Sequence, residues 1–301
     1  TCSFSNWDKA AMLNAGPERT LRLTRRFEAA PERVFSVERL PGERYFYIKR
    51  TPADNGVRVY RWDVRRGQER MVIDLDPWVV ETGRSHAFSF FSVSPHGRHL
   101  AYGLTEGGSE AATMRVMDAA TRADLIAPID RVDLDSGESG DTGIGWLPDE
   151  SGFFFNRLAP GSEQRPAAER YQWSQVFLRR IGDPDSARVP VFGGPAMPGV
   201  PMAASDVPVA FVPSLESLAL GLVVHGTQRE FSLYSTSLAD VTAGRAVWHR
   251  VFGPGEKITG MSLRKDQMFL LTHADAPRFK VTKTSLSKPD VAGAVTVYAP
   301  E

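Results

Sequence analysis

FSVSPHGRHLAYGL (91–104) carries a fold signal in one short stretch. An alternating strand runs into a Pro/Gly/charged turn, and a second strand rich in aromatic and branched residues follows. The same unit returns as FSVERLPGERYFYIKR (35–50), IGWLPDESGFFFNRL (144–158), AFVPSLESLALGLVV (210–224) and GMSLRKDQMFLLTHA (260–274). A third strand follows each copy at a distance. The period of about 50 to 65 residues, with about four strands in each, is that of β-propeller blades. A generic β-sandwich would space its strands by about 8 to 12 residues without the larger period. The expected fold is therefore all-β, a propeller with about five recognisable four-stranded blades over residues 34–301.

Residues 1–33 read differently. WDKAAMLNA (7–15) is compatible with a short helix ended by Gly16 and Pro17, and TLRLTRRF (20–27) alternates like a strand. This stretch is expected to be a short segment outside the propeller. After it, long helical periodicity is absent. Asn55-Gly56 marks a hairpin turn between RYFYIKR (44–50) and VRVYRWDV (57–64).

Composition narrows the function classes. The 301 residues are 42% apolar, enough for a sizeable core, and 36 Lys+Arg balance 36 Asp+Glu. That balance argues against nucleic acid or an anionic membrane surface as the main partner, because both call for a basic footprint. No apolar run approaches a membrane span. No leader with a charged and then an apolar region is visible, and the chain starts at Thr1 without an initiator Met. The lone Cys2 excludes an internal disulfide and a cysteine metal cage. The expected compartment is the cytoplasm, with the periplasm also compatible.

The motifs that invite chemistry each fail on a specific residue. GESG (137–140) lacks the last glycine of Gly-x-Ser-x-Gly, because Asp141 stands there. The same loop lacks the Gly-Lys-Ser/Thr ending of a phosphate loop. As a calcium loop it offers Asp133, Asp135 and Asp141, but Gly137 occupies a ligand position. His96 and His99 form an H-x-x-H pair with no third ligand nearby. His86, His225, His249 and His273 are scattered, so spacing alone assembles no Ser–His–Asp set. GGPAMPGVP (193–201) reads as a connector, and Asp74 and Asp76 as solvated strand-end carboxylates. No catalytic residue, metal ligand or cofactor site is expected on this chain.

RYFYIKRTPADNGVRVYRWD (44–63), FSVSPHGRHLAYGLTEGGSEAATMRVMD (91–118) and THADAPRFKVTKTSL (272–286) together resemble the propeller of prolyl oligopeptidase-family serine peptidases. The first matches that family's Arg-Tyr-Phe-Tyr core. The second carries its Ser-to-Tyr turn motif from Ser94 to Tyr102, then Gly108-Ser109-Glu110. The third matches a Thr-His-x-x-Ala-Pro-x-Phe-Lys pattern from Thr272 to Lys280. The resemblance covers roughly residues 34–301. It implies a seven-bladed propeller capping an α/β-hydrolase domain that holds the catalytic Ser, Asp and His and follows the propeller in sequence. Nothing in this chain matches that domain, and five units are countable.

The implied role is a non-catalytic, substrate-gating propeller, whose partners are the α/β-hydrolase domain and short peptides. The family places an Arg just after the second strand of the fourth unit. Here that stretch is Val224-His225-Gly226-Thr227, so His225 and Thr227 are the expected substrate-lining positions. The family's cavity Phe would fall within 141–144, where none stands. An open blade edge also allows self-association. The rival readings are a free-standing scaffold for protein partners and, behind it, a glycan-active propeller using paired carboxylates.

Overall fold

The computed structural model describes residues 32–51, 56–109, 111–132, 143–195, 197–213 and 215–300. The helix and strand expected within 1–33 and most of the Gly/acid loop at 130–146 lie outside the described residues. The chain divides into two compact units between Ala87 and Phe88.

In the first unit, β1 (Arg33–Leu40), β2 (Arg44–Arg50), β3 (Arg58–Asp63) and β4 (Gln68–Ile73) pair in sequence order as an antiparallel sheet. Gly42 (φ 79°) and Glu43 (φ 59°) make the left-handed turn between β1 and β2. A short helix, α1 (Asp76–Thr82), follows; its proline sits in the first turn, where the missing N–H costs nothing. Asp74 and Asp76 are not simply solvated. Arg58 donates from Nε to Asp74 at 3.1 Å and also binds Asp76, while Asp74 accepts the Asp76 N–H at 3.1 Å. One guanidinium thus ties the end of β4 to the start of α1.

The second unit holds the other four sheets. Sheet 2 contains β5 (His86–Val93), β6 (His99–Glu106) and β7 (Thr113–Asp118). Its expected fourth strand is reduced to two isolated bridges, Met114 to Ile129 and Met117 to Asp124. Local chemistry accounts for the loss. The Asp118 carboxylate accepts the N–H groups of Ala120 and Thr121 at 2.9 and 2.7 Å, and Arg122 is left-handed at φ 64°. Pro128 then removes a ladder donor.

Sheet 3 is β8 (Ile144–Trp146), β9 (Gly152–Arg157), β10 (Gln175–Arg180) and β11 (Val189–Gly193). Sheet 4 is β12 (Asp206–Phe211), β13 (Leu218–His225), β14 (Phe231–Ser237) and β15 (His249–Phe252), with helix α2 (Leu238–Thr242) between its last two strands. Sheet 5 is β16 (Ile258–Arg264), β17 (Gln267–Thr272), β18 (Lys280–Ser285) and β19 (Val295–Tyr298).

The unbroken run GFFFNR of β9 shows how these sheets stack. Every residue of β9 is buried, which a half-exposed strand would not allow. Phe153 and Phe155 join a core with Phe90, Ala101, Met114 and Val116 of sheet 2. Phe154, on the opposite face, joins Ala210, Ala219 and Tyr234 of sheet 4. Sheets 4 and 5 share a third core of Leu220, Leu233, Phe252, Ile258, Met268 and Leu270. Sheets 3 and 4 therefore each bury both faces against their neighbours, as blades do. The first strands of sheets 3 and 4 meet backbone to backbone. A Cβ on Gly145 would lie 2.3 Å from the Ala210 carbonyl oxygen, so only glycine fits there.

Candidate functional site

His225 and Thr227, the expected lining positions, lie where β13 turns into β14. Gly226 makes that turn at φ 54°, a conformation that costs glycine little. The Gln228 N–H closes it on the His225 carbonyl at 2.9 Å. Thr227 is exposed, and so are Gln228 and Arg229 beside it. His225 is held from both sides. Its Nδ1 lies 3.0 Å from Asp206 Oδ2, and its Nε2 lies 2.8 Å from Ser232 Oγ.

The register explains this contact. Asp206 of β12 pairs directly with His225 of β13, while Ser232 of β14 pairs with Val223 of β13. Three side chains distant in sequence thus meet across three adjacent strands. Asp206 Oδ2 also accepts the Ala203 N–H at 2.9 Å, which fixes it as an acceptor. The network then assigns the proton to Nδ1 and makes Nε2 the acceptor of the Ser232 hydroxyl.

These are the partners of a catalytic triad, and spacing gave no hint of them. The surroundings differ from an acylation site. Ser232 is 4% exposed and is the second residue of strand β14, away from any strand-to-helix elbow. The relay is a polar lock that fixes the β13–β14 turn to β12.

The same end of the unit joins sheet 4 to sheet 5. Glu230 Oε1 meets His273 Nε2 at 2.7 Å, and this bond holds the Glu230 carboxyl below the usual carboxylate range. The His273 ring packs edge-on to Phe279 at 5.6 Å. Thr272 Oγ1 donates toward the Glu256 and Lys257 carbonyls at 3.1 and 3.0 Å and accepts the Ala274 N–H at 3.1 Å. Asp275 and Phe279 are both left-handed, at φ 52° and 64°. The THADAPRFK motif is thus a folded connection between β17 and β18, pinned to the sheet 4 turn.

The opposite end carries the Ser94-to-Tyr102 motif. Glu150, in the β8–β9 turn, reaches into the β5–β6 turn of the neighbouring sheet. It accepts the Ser94 hydroxyl, the His96 N–H at 2.7 Å and the Arg98 Nε–H, while Ser94 Oγ accepts the His99 N–H at 2.9 Å. Burial pushes the Glu150 pKa up, but the bonds from Ser94, Arg98 and the His96 backbone outweigh it and hold the carboxyl below its ordinary value. His96 and His99 serve this clamp through their backbone. Among the described residues, no three His, Cys, Asp or Glu side chains gather as a metal site. No helix of the described residues is long and apolar enough to cross a membrane.

A family model for the prolyl oligopeptidase N-terminal β-propeller domain matches residues 11–297. The chain belongs to this family. Similar proteins include a prolyl endopeptidase of Elizabethkingia meningoseptica, 24% identical over 231 residues, or 77% of this chain and 30% of that protein. Prolyl oligopeptidase ophP of Omphalotus olearius is 22% identical over 309 residues, or 95% of this chain and 40% of its own length. The propeller chain thus spans well under half of each of these relatives.

Among solved structures, one from a study of two prolyl endopeptidases superposes with a TM-score of 0.72 at 18% identity, over 97% of this chain and 40% of that one. Prolyl oligopeptidase B from Galerina marginata, bound to a 35mer hydrolysis and macrocyclization substrate, gives 0.70 at 14% identity over 93% of this chain and 40% of that one. At these identities the likeness concerns the prolyl oligopeptidase propeller fold.

Proposed function

We propose that this propeller is the substrate-gating element of a prolyl oligopeptidase-type serine peptidase, acting with an α/β-hydrolase domain on short peptides. The carrying observation is the family match over 11–297 in a chain that spans 30% and 40% of relatives named prolyl endopeptidase and prolyl oligopeptidase. Rigidity supports the reading. Sheets 3 and 4, buried on both faces, and turns locked by Glu150, His225 and His273 suit a steric filter, which works by not yielding. Thr227, exposed in the β13–β14 turn, would face the peptide directly, and His225 would contribute by holding that turn against Asp206 and Ser232.

Two experiments test this. The pure chain, treated with a fluorophosphonate probe, is expected to show no labelled serine. Labelling at Ser232 would make the relay catalytic and overturn the non-catalytic role. For gating, residues 11–297 would replace the propeller of the Elizabethkingia meningoseptica enzyme. A chimera whose nucleophile reacts with the probe is expected to cleave short proline-containing peptides at least about tenfold faster than a folded protein substrate. Equal rates in such a labelled chimera would remove the gating function.

Self-association through an open blade edge belongs to the same proposal. Val295, Val297 and Tyr298 of the outer strand β19 are 63%, 47% and 63% exposed, an unusual load of apolar surface for an edge. Light scattering is expected to show dimers that dissociate in Val297→Lys. A monomer at every concentration would sink this part of the proposal.

A further inference from the structure

The outer half of sheet 1 gathers arginines on one face. In the β3–β4 ladder Arg61 stands directly opposite Arg70, and Asp63 opposite Gln68. On the other side of β3, Phe46 pairs with Arg61 and Arg44 with Asp63. Residues facing each other in register point to the same side of a sheet, so Arg44, Arg61 and Arg70 share a face. Arg66, in the β3–β4 turn, joins them. Like charges directly opposite one another destabilise a strand pair, and this hairpin places such a pair at its centre.

Among the described residues the countercharge is thin. Asp63 is the carboxylate in the cluster, and it is already engaged by the Arg66 N–H at 3.2 Å and the Arg66 Nε at 3.8 Å. Glu69 points to the opposite face, where it accepts from Tyr47 and Lys49. Glu43 faces Arg65 at 3.6 Å. Glu38, opposite Phe46 on β1, is the next acid on the arginine face by register. Among the described residues the Arg61 guanidinium has no hydrogen bond or ion pair; it lies 6.0 Å over the Phe46 ring. Burial, and then the charges of Arg44, Arg66 and Arg70, hold its pKa below the usual arginine value, with Asp63 opposing.

Arg66, Gln68 and Arg70 are exposed, while Arg61 and Asp63 are half-buried. Arg61, Asp63, Arg66, Gln68 and Arg70 line a depression of about 60 Å³. Gln68 offers its carbonyl oxygen to Arg70 at 3.5 Å, which leaves its amide N–H groups as further donors. The planar guanidinium forks of three arginines beside one small hollow match the oxygens of a tetrahedral, multiply charged anion.

We propose that this hollow on sheet 1 binds a phosphate-type oxyanion, with Arg61 and Arg70 as its principal ligands and Arg66 and Gln68 completing the ring of donors. The anion offsets the repulsion that the Arg61 and Arg70 pairing builds into the hairpin. Binding therefore stabilises the first unit.

Isothermal titration calorimetry of the full chain tests this, with inorganic phosphate as titrant at constant ionic strength and acetate as the comparison. Saturable phosphate binding is expected, at least about tenfold weaker in Arg61→Gln and in Arg70→Gln and unchanged in Arg229→Gln, an exposed arginine elsewhere. Acetate is expected to bind at least about tenfold more weakly than phosphate. Without phosphate, Arg61→Gln and Arg70→Gln are expected to unfold at a urea midpoint equal to or above that of the native chain, because each removes a like-charge contact. No saturable heat, equal binding by both variants, or acetate as strong as phosphate would each overturn the site. A lowered urea midpoint in both variants would overturn the repulsion on which it rests.

Discussion

Replacing Glu150 by alanine is expected to lower the stability of the second unit by about 2–4 kcal/mol, because it strands the donors it accepts from, at about 1–3 kcal/mol for each one left unsatisfied. The Glu150 side chain is fully buried, and its backbone is left-handed at φ 59°, a conformation the surrounding bonds must hold in place. Its loss leaves the Ser94 hydroxyl and the His96 N–H without their acceptor, and the turn between β5 and β6 without its tie to sheet 3. Arg98 is 62% exposed and finds water instead, so it contributes little of the loss. Glu150→Gln keeps the shape and one acceptor oxygen, and about half the effect is expected.

The pH dependence follows from the direction of the shift. The folded carboxyl sits below its ordinary value, so its contribution is fully present above the unfolded glutamate pKa of about 4.3 and is lost as pH falls through the folded value. Urea midpoints measured from pH 7 down to pH 3 should fall less steeply for Glu150→Gln than for the native chain. Parallel curves would show that Glu150 carries no charge in the clamp.

The second large effect belongs to the joint between sheets 3 and 4. Phe192 of β11 is completely buried, 4.6 Å from the Trp248 ring and 5.8 Å from Tyr234. Gly221 of β13 lies under its ring, where a Cβ would come within 2.5 Å of two ring carbons. Phe192→Ala is expected to cost about 3–5 kcal/mol through the cavity it opens, and Gly221→Ala about 1–3 kcal/mol through overpacking. The double variant should be less destabilised than the sum by at least about 1 kcal/mol, because the new methyl enters the space the ring vacates. Strict additivity of the urea-derived values would show that the two residues do not share that space.

Much of the fold was legible before any coordinates. The alternation in each unit and the turn residues between strands placed nearly every strand. The fourth strand of sheet 2 was not legible, because its loss depends on an Asp118-capped turn and on Pro128 rather than on periodicity. Asp74 and Asp76 read as solvated acids, since nothing in sequence links them to Arg58, sixteen and eighteen residues away across a hairpin. At the candidate site, the turn carrying His225 and Thr227 was found by likeness to a family pattern. The bonds that immobilise His225 were not.

The sequence by itself determined the local conformations: where strands run, where left-handed turns fall, and the family in which that rhythm recurs. These follow from short-range propensities and steric preferences, which each segment carries alone. The tertiary structure decided which distant groups meet. Strand register put Asp206, His225 and Ser232 in one relay and set Arg61 opposite Arg70, and sheet stacking buried Glu150 in its neighbour's turn. A one-residue slip in register would turn each of those side chains to the other face, and that choice is made by the packing of whole sheets.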